Sequence, residues 1–187
     1  TGIDIVPTNN MTYGVVASSA YITISSVNIN DAGGKIKTAA MSVSSWNAVN
    51  YSSITATGAH GYYLSGSTMT TISFSTAQIN SASFFALYMI NATSNTIQNS
   101  LLRNVSLGSA GHIGLSSQFN TIILSTFAAS RGGFSALDLD GASSNTITRT
   151  HIRGGVGTGL VVLNASNFNG IYQSTITSSG GSSDALI

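Results

Sequence analysis

The sequence contains no cysteine, a single proline (Pro7) and no glutamate, and only 6% of its 187 residues are charged. Without cysteine, disulfides, cysteine-ligated zinc sites and thiol catalysis are excluded. Six Lys and Arg against five Asp give a net charge of +1, which excludes the basic surface that nucleic-acid binding needs. The longest apolar run, residues 84–90, is much shorter than the roughly 18 residues of a membrane-spanning helix.

Neutral hydroxyls and amides take the place of the missing charges. The chain has 32 Ser, 21 Thr and 16 Asn, together 69 of 187 residues. Hydrophobic residues make up 42% of the chain, which is too many for an intrinsically disordered segment of low net charge. The composition therefore predicts a folded protein whose surface is polar and nearly uncharged.

A repeat of about 25 residues runs through the chain. The tripeptide Asn-Thr-Ile occurs three times, ending at Ile97, Ile122 and Ile147. Extending this frame in both directions gives seven anchor positions, which we use below to number the repeat: Ile24, Val49, Ile72, Ile97, Ile122, Ile147 and Ile171.

Other residue types recur at fixed distances from the anchors. The position five residues after each anchor is always apolar, from Ile29 to Ile176. Eight residues before the anchors, the frame places Val16, Met41, Leu64, Met89, Leu139 and Leu163, with Leu115 in the same role after a one-residue adjustment. Ten residues before, it places Gly14, Ala39, Tyr62, Leu87, Leu137 and Val161, with Ile113 again adjusted by one.

This pattern predicts three short strands per repeat, joined by bends. Apolar residues two apart indicate a strand with alternating faces, and the odd spacing between the anchor and the apolar residue five positions later requires a bend. Stacked repeats bring like residues together, so recurrent Asn and Ser/Thr are predicted to form hydrogen-bonded ladders at the bends. The ladder residues are Asn47, Asn95, Asn120, Asn145, Asn169, Ser52, Ser75, Ser100, Ser125, Thr150 and Ser174.

The motif Ser-Asn-Thr-Ile, with Ser three residues and an aliphatic residue five residues after the Ile, resembles the repeat of right-handed parallel β-helices, the pectin-lyase-like superfamily. The resemblance implies an all-β right-handed solenoid of about seven coils. Members of that superfamily include polysaccharide lyases and hydrolases, phage tailspikes, adhesins and very long surface proteins. The even, Ser/Thr/Asn-rich coils are most similar to the last group, which implies an extracellular or cell-surface location.

The frame is unbroken, so residues 1–187 are predicted to form one domain. The last residues, 184–187, resemble the start of another coil, and we expect the sequence to be an excerpt of a longer repetitive protein. Its expected partners are further coils of the same parent chain, or end-to-end copies of itself.

Asp138 and Asp140 are the candidate catalytic residues. They lie two apart on one predicted strand and point outward, roughly 6.5–7 Å from each other, near the separation of the two carboxylates in inverting glycosidases. His112 lies about one coil earlier and is the third candidate. The alternative is a pair of solvated acids, and the scarcity of other ionisable residues favours a non-enzymatic role.

Tyr63, Tyr88 and Trp46 are the candidate ligand-binding residues. The two tyrosines are predicted to point outward one coil apart, and Trp46 lies in a turn. Such aromatic groups suit a surface glycan or polysaccharide, and they equally suit ordinary packing between strands. The three histidines do not share a column, so no metal site is predicted, and no cofactor is implied.

The function that the sequence favours is a structural or interaction segment of an extracellular repeat protein. A carbohydrate-binding or polysaccharide-degrading β-helix using Asp138 and Asp140 is the alternative. Ice binding is a lesser alternative, because the Thr-x-Thr pairs at residues 55–57, 146–148 and 175–177 fall at different phases and predict no continuous threonine array.

Overall fold

The computed structural model describes residues 2–131, 134–180 and 184–186, and within these residues the chain forms 22 short β-strands and no helix. Thr1 and Ile187, the two ends of the predicted domain, lie outside the described residues. The strands, numbered in chain order, form three parallel sheets, which we call A, B and C. Sheet A contains β1 (Ile3–Ile5), β4 (Val27–Asp31), β7 (Ser53–Ala56), β10 (Thr76–Ile79), β13 (Leu101–Asn104), β16 (Thr126–Ala129), β19 (His151–Gly154) and β22 (Thr175–Ser178). Sheet B contains β2 (Met11–Ala17), β5 (Ile36–Val43), β8 (His60–Ser65), β11 (Leu87–Ile90), β14 (Gly111–Gly114), β17 (Leu137–Asp140) and β20 (Leu160–Leu163). Sheet C contains β3 (Thr23–Ser25), β6 (Ala48–Asn50), β9 (Thr71–Ser73), β12 (Thr96–Gln98), β15 (Thr121–Ile123), β18 (Thr146–Thr148) and β21 (Gly170–Tyr172).

Each coil passes from a sheet B strand through a sheet C strand to a sheet A strand, and the next coil pairs with it strand by strand. The anchors lie opposite one another in sheet C, as in the pairs Ile72–Ile97 and Ile97–Ile122. The molecule is thus a parallel β-solenoid of about seven turns with three strands per coil. The predicted fold class is confirmed.

Single residues in the left-handed backbone region turn the chain at both edges of sheet C. The first corner row holds the residue three positions before each anchor, and the second corner row holds the residue two positions after it. All fourteen have φ between 48° and 63°. The residues of the first row lie two positions before a sheet C strand begins, and those of the second row directly follow its end. The first row is Tyr21, Trp46, Met69, Ser94, Phe119, Ser144 and Phe168; the second is Ser26, Tyr51, Phe74, Asn99, Leu124, Arg149 and Gln173.

The inward-facing side chains form one hydrophobic cluster along the coil axis. The anchors from Val49 to Ile147 are fully buried, and so are Ile29 and Leu102 in the column five residues later. Stacking of like positions thus explains why aliphatic residues recur at fixed phase.

The asparagine column forms a hydrogen-bonded ladder inside the turn before sheet C. The amide Nδ2 of Asn95 donates to Oδ1 of Asn120 (3.0 Å), and Asn120 donates in the same way to Asn145 (2.9 Å) and Asn145 to Asn169 (3.0 Å). Each acceptor oxygen also takes the backbone N–H of the preceding asparagine. The Oδ1 of Asn47 likewise accepts the backbone N–H of the equivalent residue one coil earlier, Ile22, which has no side-chain amide to donate.

In the hydroxyl column, the hydrogen bonds between equivalent residues of adjacent coils join a backbone N–H to a hydroxyl. Each hydroxyl accepts the backbone N–H of the equivalent residue one coil earlier, as when Ser75 N–H donates to Ser100 Oγ (3.3 Å). It donates its own proton to the carbonyl two residues back, as Ser100 does to Gln98 (2.8 Å). The same donor–acceptor arrangement is repeated at Ser52, Ser125, Thr150 and Ser174.

The predicted register of sheet B is wrong in several coils. Val16, Leu115 and Leu163 were expected in the core and are exposed, and the core positions belong to neighbouring residues. The pairings place Ile113 opposite Met89 and Leu139, and Val162 opposite Leu139. In the same way, Gly111 and Leu160 lie opposite Leu137, where the frame placed Ile113 and Val161, and Met41 lies opposite Tyr62.

An extra residue in the turn after sheet B causes two of these shifts. This turn has one left-handed residue in three coils, at Gly66, Asn91 and Gly141. It has two in two other coils, at the pairs 115–116 and 164–165. The additional residue moves the whole preceding strand by one position relative to the anchor.

Candidate functional site

The corrected register brings four of the candidate residues into one outward row on sheet B. Tyr63 lies opposite Tyr88, Tyr88 opposite His112, and His112 opposite Asp138. We call these four residues the sheet B row. The one-residue adjustment at Ile113 and Leu115 puts Gly114 rather than His112 opposite Asp138, so the sequence frame does not predict that His112 and Asp138 are direct neighbours.

Further aromatic rings extend the row into a stack. His60 lies against Tyr88, with ring centroids 4.4 Å apart and planes 18° from parallel. Phe85 stacks on both His60 (5.5 Å) and His112 (5.2 Å). Neither residue was a candidate from the sequence, because both lie at the entrance to the strand, outside the alternating positions.

The stacked rings have their faces turned toward one another. Tyr63 and Tyr88 are 5.6 Å apart with planes 20° from parallel, so each ring covers part of the face of the next. The row consequently offers ring edges and phenol hydroxyls to solvent rather than a flat aromatic platform. Burial raises the pKa of the Tyr88 phenol, and the nearby Tyr63 raises it further, so the Tyr88 hydroxyl stays protonated and can donate.

His60 is the buried member of the stack, with 9% of its surface exposed. Its Nδ1 accepts a hydrogen bond from the backbone N–H of Phe85 (3.1 Å), which requires that nitrogen to be unprotonated. Burial, with a smaller contribution from His112, lowers the pKa of His60 to about 4. The ring is therefore neutral at physiological pH and acts as an apolar wall of the stack.

Asp138 sits between a histidine and a serine. Its Oδ2 is 3.9 Å from Nδ1 of His112, and its Oδ1 accepts the hydroxyl proton of Ser135. In a hydrolytic triad the serine contacts the second imidazole nitrogen, which removes its proton. Here Ser135 contacts the carboxylate, and the Nε2 edge of His112 lies over Gly114, where a side chain would leave no room. The contacts of Ser135 and His112 thus both converge on the Asp138 carboxylate, and this arrangement differs from that of a triad.

Asp140 points outward beside this group and accepts a hydrogen bond from Asn164 Nδ2 (2.5 Å). Asp138, Asp140 and His112 line a shallow depression of about 250 Å³ that Phe134 and Leu163 border. A long wall of the kind that encloses a polysaccharide cleft is absent from the described part of the chain, where the turns between strands are short. The described residues also contain no group of three His, Asp or Glu that could hold a metal ion.

The remaining candidates lie elsewhere on the molecule. Trp46 belongs to the first corner row, where its ring is 6.0 Å from that of Tyr21, and it contributes nothing to the sheet B row.

The expectation of no continuous threonine array is wrong in one respect, since Thr71, Thr96, Thr121 and Thr146 follow one another on sheet C. This array is one residue wide, because its neighbours on the same strands are Ser73, Gln98, Ile123 and Thr148.

No family model matches the sequence, and no curated protein matches it either. Among solved structures, the chain is similar to an alginate lyase from Paenibacillus sp. str. FPU-7, with 14% identity over 93% of this chain and 92% of that one. The TM-score is 0.39, so the two chains do not superpose closely enough to assign residues of one to positions of the other. Among the described residues, no helix has the length and apolar character needed to cross a membrane.

Proposed function

We propose that this chain is a rigid segment of an extracellular or cell-surface repeat protein, with a structural or interaction role. The observation that carries the proposal is that each coil pairs with the next along the whole solenoid. Adjacent coils are joined by three parallel strand pairs, and the asparagine and hydroxyl ladders hold the turns. Seven coils at about 4.8 Å each give a block roughly 34 Å long.

The arrangement of the acids supports a non-enzymatic role. The carboxylate of Asp138 already accepts from Ser135, and that of Asp140 accepts from Asn164. The depression beside them is shallow, so it neither excludes water nor holds a sugar chain on two sides. These features support a surface that contacts other molecules without transforming them.

Amide hydrogen exchange, combined with a polysaccharide turnover assay, tests this proposal. We expect the strands of the central coils to exchange together, through global unfolding only, and no new reducing ends or unsaturated products from neutral or acidic polysaccharides. A central coil that exchanges much faster than its neighbours would contradict the rigid segment. So would turnover that is lost in an Asp138→Asn, Asp140→Asn variant.

Glycan binding by the sheet B row is the second candidate function. The row presents two phenol hydroxyls, an imidazole and a carboxylate at steps of about 4.8 Å along the sheet. Such a line of donors and acceptors suits the hydroxyls of a linear sugar chain lying along the solenoid axis. The proposal therefore assigns recognition to hydrogen bonds, because the ring faces are already covered.

Binding of immobilised glycans, followed by calorimetry, separates hydrogen bonding from ring stacking. Tyr63→Phe and Tyr88→Phe keep the rings and remove the hydroxyls, so we expect the double variant to bind at least ten-fold more weakly. Tyr172→Phe, an exposed tyrosine on sheet C, is the matched control and should bind normally. Unchanged binding by the double variant would exclude the row as the recognition site.

A further inference from the structure

The two corner rows carry a concentration of exposed apolar side chains on one face of the solenoid. In the first row, Phe168 is 90% exposed and Tyr21 82%. In the second row, Tyr51 and Phe74 stack on each other, 5.2 Å apart, and remain exposed. We call the surface formed by both rows and the outward residues of sheet C between them the sheet C face. Its exposed large apolar residues are Tyr21, Trp46, Tyr51, Met69, Phe74, Phe119, Leu124, Phe168 and Tyr172.

The backbone at these corners does not favour bulky side chains. Both rows are in the left-handed region, which suits Gly and Asn and which large residues rarely adopt. Asn99, Ser94 and Ser144 occupy equivalent corners, so the fold accepts small polar residues there. Neither the turn geometry nor the core therefore accounts for a phenylalanine at position 119 or 168, and strained, exposed residues of this kind point to a contact with another surface.

The charge of the sheet C face indicates which surface would fit it. Arg149, near one end, is the one charged side chain among the corner rows and the strands of sheet C. The other two faces are charged, with Arg103 and Arg153 on sheet A and the two aspartates on sheet B. A strongly charged partner would find no complementary groups here, whereas a second copy of the same neutral face would bring no like charges together along most of its length.

The sheet C face is also large enough to form a specific protein interface. Seven coils at about 4.8 Å, and six residue positions at about 3.3 Å, give roughly 34 by 17 Å, or on the order of 600 Å² on each copy. Two copies would bury about 1,200 Å² in total, which lies at the lower end of specific protein interfaces. A two-fold axis would place the same residues on both sides, as in most homodimers.

We propose that the sheet C face is a self-association surface, on which a second copy of this chain docks laterally through the two apolar corner rows. The contact is side by side and leaves the open ends of the solenoid free for stacking. It is therefore independent of the rigid-segment proposal, whose tests measure amide exchange and turnover.

Sedimentation velocity and the fluorescence of Trp46, the single tryptophan, test this proposal. We expect a reversible dimer at micromolar to tens of micromolar concentration, with Trp46 emission shifting to shorter wavelength as the dimer forms. A Phe74→Asn, Phe119→Asn variant removes one apolar residue from each row and places Asn where the backbone favours it. It should remain folded, sediment as a monomer and show emission that is independent of concentration.

Leu107→Asn is the matched control, because Leu107 is similarly exposed and lies between β13 and β14, outside the sheet C face. It should dimerise like the unmodified chain. A chain that stays monomeric at several hundred micromolar overturns the proposal. A dimer that survives the paired phenylalanine substitutions, or that is lost in Leu107→Asn, also overturns it.

Discussion

Folding strongly alters the ionisation of the buried His60 side chain. Its pKa falls to about 4 in the folded chain, from about 6.5 in an exposed histidine. Between those two values the unfolded chain binds a proton that the folded chain excludes, so stability decreases as the pH falls. We expect the free energy of unfolding to drop by about 2–3 kcal/mol between pH 7 and pH 4.5 from this residue alone, as measured by urea denaturation.

The contribution of His60 can be isolated by substitution. His60→Gln removes the titrating group and should flatten the pH dependence of stability between pH 4.5 and 7. His151→Gln, which removes an exposed histidine, is the matched control. Identical slopes for His60→Gln and the unmodified chain would mean that the folded protein admits the proton at His60.

Asn120 occupies the centre of the asparagine ladder and is buried. Its Oδ1 accepts from Asn95, and its Nδ2 donates to the carbonyl of Ala92 (2.8 Å) and to Asn145. Asn120→Ala leaves these groups unpaired in the interior, so we expect a loss of about 2–4 kcal/mol in unfolding free energy. Asn169→Ala, at the partly exposed end of the ladder, should lose about half as much. Equal losses of unfolding free energy in the two variants would show that burial does not determine how much a ladder asparagine contributes to stability.

Within one coil, a small core side chain on one strand is compensated by a large core side chain on another strand. In sheet B, Tyr62 lies opposite Leu87, Leu87 opposite Gly111, and Gly111 opposite Leu137, so one coil has no side chain in a core column. In that coil Phe127 fills the space, since a Cβ on Gly111 would approach Phe127 Cε1 to 2.5 Å. The coil with Tyr62 has the small Ala77 in the column of Phe127, and the Tyr62 hydroxyl reaches across the core to the carbonyl of Thr76 (3.2 Å).

Because Phe127 fills the space beside Gly111, substitutions at these two positions should have coupled effects on the free energy of unfolding. Gly111→Ala should destabilise the protein by about 1–3 kcal/mol, because the fully packed core cannot move away from the new methyl group. Adding Phe127→Leu should recover part of that loss, although Phe127→Leu alone is destabilising. A double-mutant cycle measured by chemical denaturation checks this, and strictly additive effects would contradict the packing described here.

At the scale of the strands, the sequence predicts the register of sheets A and C correctly, whereas it does not predict that of sheet B. The anchors and the hydroxyl column are separated from each other by one corner residue in every coil, so their register follows directly from counting. Directly after the sheet B strand, the turn has one left-handed residue in some coils and two in others, and nothing in Leu115-Ser116 marks the extra one as Gly or Asn would. The sheet B row was therefore hidden, although Tyr63 and Tyr88 were correctly paired.

The low charge of the whole molecule follows from the spacing of its coils. Each outward residue has an equivalent about 4.8 Å away on the next coil, where two like charges repel by about 1 kcal/mol even in water. Arg103 on sheet A is a suitable position for testing this repulsion between coils, because its neighbours in the same row are the uncharged Gln78 and Ala128.

Placing a charge beside Arg103 should shift stability in a direction set by its sign. We expect Gln78→Lys to be less stable than Gln78→Glu by about 1 kcal/mol at low ionic strength, because the substituted residue lies one coil from Arg103. The Lys–Glu difference at Thr55, one coil further away, should be less than half as large. In 1 M salt the Debye length is about 3 Å, so both differences should nearly vanish when measured by urea denaturation. A difference at Gln78 that persists in high salt would show that side-chain packing, rather than repulsion between stacked charges, keeps this surface neutral.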